Sequence, residues 1–225
     1  MSADDHAAAP GPGATDQPAL MPGDMQLVAA ERVVFFSDAV VAIAITLLAL
    51  DLHLPTGNSN LAVLHDLRVH YLNYLAFFVS FLVIANHWRA HHRLFNDVVR
   101  LDQRAITLDF AWLLMIIVTP FATRILTSRG TAFGIQFTIY SVVQILTVLF
   151  FVLLTRHLRR QNLLQAQAGS LLATDHELNQ IVIAAMFALS IPVAFFTPWA
   201  FAFWAASGVV ARRVQLRLGQ SARRP

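Results

Sequence analysis

Residues Arg32–Pro55 read RVVFFSDAVVAIAITLLALDLHLP, an apolar run long enough to cross a bilayer as a helix. Between Arg32 and Asp51 the one charged residue is Asp38, and Ala39–Leu50 carries no charge. At helical spacing Ile43, Thr46, Leu47 and Leu50 fall at i, i+3, i+4 and i+7, which places them on one stripe. That stripe holds a single hydroxyl among bulky aliphatics. A helix that only dissolves in lipid has no use for Ser37-Asp38 together with an ordered threonine stripe; a helix lining a narrow pathway uses both. Periodicity alone favours plain packing, because leucine and isoleucine fill every membrane span.

Composition sets the class. The 225 residues are 57% apolar and 13% charged, with a mean hydropathy of +0.59. A soluble domain of this size carries more charge on its surface, so the expected fold is an all-α integral membrane protein. All 16 basic residues are arginine. They fall in short loops beside apolar spans rather than in one patch, which gives no footprint for nucleic acid. Cysteine is absent, excluding disulfides and thiolate sites.

Residues 1–26 are rich in Pro, Gly, Ala and Asp, a composition that cannot bury a core. They lack the basic and apolar regions of a secretory signal. The expected organisation is a disordered cytoplasmic segment 1–30, a transmembrane domain 31–213 and a basic cytoplasmic tail 214–225.

Six spans are expected, at about 33–54, 71–88, 106–126, 132–155, 180–196 and 198–211. The third carries Asp109 near its start and Thr119-Pro120 as a kink point, and the last two are punctuated by Pro192 and Thr197-Pro198. Arginine position tests the count. With six spans, one side holds Arg32, Arg89, Arg93, Arg100, Arg104, Arg156, Arg159, Arg160, Arg212, Arg213, Arg217, Arg223 and Arg224, and the other only Arg68, Arg124 and Arg129. That bias puts both ends in the cytoplasm of a multi-pass protein in the cell membrane. No internal repeat is visible, and six short helices are few to enclose a pathway alone. A symmetric oligomer with the polar-striped helix facing the axis is the simplest solution.

Two polar neighbourhoods share the arginine-rich side: Arg32 with Phe36-Ser37-Asp38, and Asn86-His87-Trp88-Arg89-Ala90-His91-His92-Arg93-Leu94-Phe95. An aspartate inside a span needs a partner. Arg32 lies off the i+3/i+4 register, so His91 is the better-placed partner for Asp38. The alternative for Ser37 and Asp38 is simple capping or pinning of helices, for His91 and His92 a solvated interface, and for Trp88 an interfacial anchor.

Arg32-x-x-x-Phe36-Ser37-Asp38-x-x-x-Ala42-Ile43-x-x-Thr46-Leu47-Leu48-x-Leu50 resembles the first-helix signature of the transmembrane protein 175 family of potassium channels. Trp88-x-x-His91-His92-x-x-Phe95 is similar to the second-span ending of its bacterial branch, and six spans with both ends inside agree. The resemblance covers about residues 30–215, although only these two motifs are specific. It implies a homotetramer in the lipid bilayer with the first helix lining a central pore for potassium ions and no other cofactor. It further implies a constriction at Ile43, Leu47 and Leu50, a modest potassium-over-sodium preference from Thr46, and a bracing network of Arg32, Phe36, Ser37, Asp38, Trp88 and His91. No Thr-Val-Gly-Tyr-Gly filter occurs in the chain.

Three other readings compete. His87-x-x-x-His91-His92 resembles one histidine box of the membrane di-iron oxygenases, but too few further histidines can converge. An ion-coupled secondary transporter would use Asp38 or Asp109 as its coupling carboxylate, yet repeats and a broken-helix site are lacking. A non-conducting scaffold is the third.

Overall fold

The computed structural model describes residues 22–128, 132–165, 171–197, 200, 203–204 and 213, with side chains from residue 30 and, in the last long helix, from residue 180. Six helices follow one another: α1 Pro22–Leu50, α2 Asn60–Val69, α3 Tyr71–Asn96, α4 Gln103–Leu126, α5 Phe133–Arg160 and α6 Leu171–Ala194. Among the described residues, α1, α3, α4 and α5 are long and apolar enough to cross a membrane. α6 adds a shorter apolar stretch, Gln180–Ala194.

α1, α3, α4 and α5 carry the first four expected spans, with shifted limits, and the stretch expected as the fifth lies mostly within α6. α1 starts at Pro22, so residues 22–30, assigned to the disordered segment from their composition, are helical instead. Proline suits a first helical position, where its missing N–H has no partner to lose. The Met25, Gln26, Leu27, Ala29 and Ala30 that follow are helix formers whose contribution the nearby Pro and Gly conceal. α3 runs past Trp88 to Asn96 and α5 past Thr155 to Arg160, because loss of hydropathy marks the end of the membrane rather than of the helix. α4 continues through Pro120. α2 has no counterpart among the expected spans. The expected sixth span falls outside the described residues except at Ala200, Phe203 and Trp204. Residues 1–21 and the tail 214–225 also lie outside them.

Local chemistry fixes the helix ends. Asp102 caps α4 by accepting the Ala105 N–H at 2.7 Å, an N-cap worth about 1 kcal/mol. Ser59 caps α2 through the Ala62 N–H. Just past α5, Asn162 lies in the left-handed region at φ 51°, a conformation asparagine tolerates better than most residues. There the Leu163 N–H reaches back to the Leu158 carbonyl at 3.0 Å.

The long helices α1, α3, α4, α5 and α6 alternate in direction and pack pairwise. α1 lies on α3 and α4, α4 on α5, and α5 on α6. One apolar cluster gathers Val41, Leu48, Ile84, Trp112, Ile116 and Phe151. A second joins Ala122, Phe137, Tyr140, Phe187 and Trp204. Trp204 stacks on Phe137 at 4.4 Å and donates its indole N–H to Ser190 Oγ at 3.0 Å.

The loops define two ends. At one, an isolated β-bridge pairs Val98 with Leu164, and His157 on the last turns of α5 reaches Asp102 at 2.7 Å. This end collects Arg89, Arg93, Arg100, Arg104, Arg156, Arg159 and Arg160. At the other, Arg124 pairs with Asp51 at 3.6 Å, and α2 folds over the loop that leaves α1. The arginine asymmetry read from the sequence is therefore an asymmetry between two ends of one bundle.

Candidate functional site

α1 has two faces. Ser37, Val41, Ala44 and Leu48 are buried against α3 and α4, and their spacing of four, three and four residues keeps them on one side. Ile43, Leu47 and Leu50 remain 59%, 40% and 79% exposed on the subunit. Thr46 shares that open face, and its hydroxyl donates to the Ile43 carbonyl at 2.8 Å. With its only proton used within the helix, the Thr46 oxygen presents lone pairs outward. The stripe read from the sequence is thus left free by the packing of the subunit.

Three consecutive residues attach the arginine-rich end of α1. Phe36 packs against Phe110 of α4, with ring centroids 5.6 Å apart. The Ser37 hydroxyl lies 3.0 Å from Oδ2 of Asp109, also on α4, and 2.9 Å from the Val33 carbonyl, so its one proton serves either. Asp38 turns to α3 and accepts the Trp88 indole N–H at 2.8 Å. Neighbouring residues on a helix point about 100° apart, which is how one short motif reaches two helices.

The expected pairing of His91 with Asp38 is incorrect. His91 Nε2 lies 2.7 Å from Oδ1 of Asp109, and the two side chains are 0% and 1% exposed. The His91 ring is sandwiched between Phe95 at 4.2 Å and Trp112 at 4.4 Å, a slot that aims it at α4 and away from Asp38. The sequence pointed to His91 as a partner for an intramembrane carboxyl group but chose the wrong one of the two aspartates. Trp88 therefore has a specific partner beyond any anchoring role, and its ring also stacks on His92 at 5.5 Å. Arg32 is exposed and makes no side-chain hydrogen bond or ion pair with another described residue, so within one subunit it stands apart from the network. Asp109 is the member that sequence reasoning missed. Its signal was present, as a lone carboxylate within an apolar span.

The histidine-box reading finds no support. Among the described residues, His87, His91 and His92 form no group of metal ligands. At the α4 entrance, burial acts to raise the Asp102 pKa, but the Ala105 N–H and His157 outweigh it and hold the carboxyl below its usual value.

Residues 32–120 match the family described as endosomal/lysosomal potassium channel TMEM175, a segment that contains the open stripe and every member of the network. The similarity to the TMEM175 family therefore rests on this segment. Two relatives, each named a potassium channel, come from Streptomyces collinus and Chamaesiphon minutus. The first is 36% identical over 132 residues, covering 57% of this chain and 64% of the relative. The second is 36% identical over 97 residues, covering 42% and 48%. The chain thus spans less than two thirds of the length of either curated relative. The fold is also that of a solved TMEM175 homologue from Chamaesiphon minutus, titled a lysosomal potassium-selective channel homologue. That likeness has a TM-score of 0.66 at 23% identity and covers 84% of this chain and 98% of that one.

Proposed function

We propose that this chain is a member of the TMEM175 family and a potassium-permeable cation channel, formed by four copies whose α1 helices surround a central pore. The observation that carries the reading is the open α1 face. Ile43, Leu47 and Leu50 project from the subunit while the opposite face is locked into its core. The relatives named as potassium channels support the permeant ion. A ring of four aliphatic side chains closes a narrow pore by dewetting, because a cation cannot exchange its water shell for hydrocarbon. Slight displacement of the helices widens the ring and restores a hydrated path.

Thr46 lies between these aliphatic levels with its oxygen turned outward. Four such oxygens coordinate an ion that has lost part of its shell. A few neutral oxygens discriminate weakly between potassium and sodium, so the preference for potassium is modest. The arginine-rich end faces the cytoplasm of the bacterial cell, together with both termini.

A coupling carboxylate in a transporter must exchange partners with solvent. Asp109 is sealed between His91 and Ser37, and Asp38 is engaged by Trp88. These ties favour bracing of α1. Purified protein in liposomes, recorded under opposing potassium and sodium gradients, tests the reading. Non-saturating current with a reversal potential displaced modestly toward potassium is expected. Absence of current, or saturable flux coupled to a second ion, would contradict it.

A further inference from the structure

The end of the bundle opposite the arginines holds a cluster that the pore does not use. His53 lies just beyond α1, Asp66 on α2 and His70 at the junction of α2 and α3. His53 Nε2 is 2.8 Å from Asp66 Oδ2. His70 Nδ1 is 3.4 Å from Asp66 Oδ1 and 3.0 Å from the Asp66 carbonyl. The two imidazoles stack with centroids 3.7 Å apart and planes at 21°. One ligand atom from each residue falls within 4.8 Å of the others.

We propose that His53, Asp66 and His70 bind a divalent transition ion of the zinc class. Two imidazole nitrogens and one carboxylate oxygen suit such an ion, whereas magnesium and calcium take oxygen shells. Three protein ligands leave a fourth position for water. A tetrahedral shell with bonds near 2.0–2.1 Å places its ligands about 3.3 Å apart, so the triad closes by a modest movement of side chains. Coordination takes the lone pairs of His53 Nε2 and His70 Nδ1, so a proton on either nitrogen moves to the other ring nitrogen or to solvent.

The surroundings are built for such a site. Tyr74 donates its hydroxyl to the His53 carbonyl at 2.6 Å, fixing the loop that carries this ligand. The Thr56 N–H donates to Asp66 Oδ2 at 3.2 Å. Gly57 lets that loop approach α2 closely, since a Cβ there would stand 2.8 Å from Ala62 Cβ. His53 and His70 also border a cavity of about 470 Å³ that reaches Asn73 and Gln136, room enough for a hydrated ion to enter. Occupancy ties the exit of α1 to α2 and α3. The site stands independently of the pore reading.

The test is calorimetric titration of the full chain in nanodiscs with zinc chloride at neutral pH. Binding of one ion per subunit is expected, and affinity falls by at least about 10-fold in His53→Ala/His70→Ala, while His65→Ala, an exposed control on α2, binds as the wild type does. No binding to the wild type, unchanged affinity in the double variant, or loss only in His65→Ala each overturns the proposal. If the double variant does not fold, copper(II) paramagnetic resonance on the wild type decides. Hyperfine splitting from two nitrogens that Asp66→Asn perturbs supports the site, and a spectrum without histidine nitrogens overturns it.

Discussion

His91 and Asp109 form a sealed pair across α3 and α4, 2.7 Å apart and with neither side chain more than 1% exposed. Ser37 of α1 adds a second donor to the same carboxylate. One acid therefore joins three helices. Truncation by Asp109→Ala leaves His91 and Ser37 facing a void, and removal of one partner from such a buried arrangement costs about 3 kcal/mol or more. Asp109→Asn retains an acceptor and the side-chain volume, so its loss is smaller. Thermal unfolding in detergent should rank the proteins wild type, Asp109→Asn, Asp109→Ala. Equal stability of all three would remove the carboxylate from its structural role.

The open aliphatic stripe yields a direct test of the pore. Ile43 and Leu47 make little of the subunit's own core, so Ile43→Ala and Leu47→Ala should change fold stability by less than about 1 kcal/mol. Each should nevertheless raise conductance or leak in reconstituted bilayers by widening the ring. Currents unchanged in both variants would show that the path does not run along this face.

Thr46→Val keeps the shape of the side chain and deletes the oxygen that α1 presents outward. The potassium-over-sodium permeability ratio should fall toward one, read as a shift in reversal potential under mixed gradients. An unaltered reversal potential would place selectivity elsewhere.

Asp102 gives a pH signature outside the membrane. Its pKa is lowered in the fold, so the stability it contributes is present above the ordinary carboxylate pKa of about 3.9 and is lost as pH falls through the folded value. At pH 7 the Asp102→Ala protein should be less stable by about 1 kcal/mol, mainly through loss of the α4 N-cap. That difference should narrow as the pH drops below about 4. A gap that stays constant between pH 7 and pH 3 would show that the ionised form contributes nothing particular.

The sequence made the long helices legible because a membrane rewards uninterrupted apolar runs, and the arginine positions fixed their alternation. It also marked the face of α1 that the subunit leaves open, since Val41, Ala44 and Leu48 turn inward while Ile43 and Leu47 do not. Partner choice was a different matter. Whether His91 meets Asp38 or Asp109 depends on how α3 rotates against α4, and that rotation is set by distant packing such as the Trp112 slot. α2 escaped notice because Asn60–Val69 is short and mixes apolar with charged residues, as surface helices do. The spacing of Asp66 and His70 was visible as i,i+4, but His53 joins them only through the return of a loop.

Ser37 and Asp38 grip two different helices from adjacent positions, and this restricts how α1 can move. Spinning about its own long axis would break both grips at once. The opposite extremity is held within the subunit by looser means, including the exposed Asp51–Arg124 pair, a class of contact worth at most about 1 kcal/mol. The permitted motion is thus that of a lever with its fulcrum beside the arginines, sweeping Leu50 through a wider arc than Ile43.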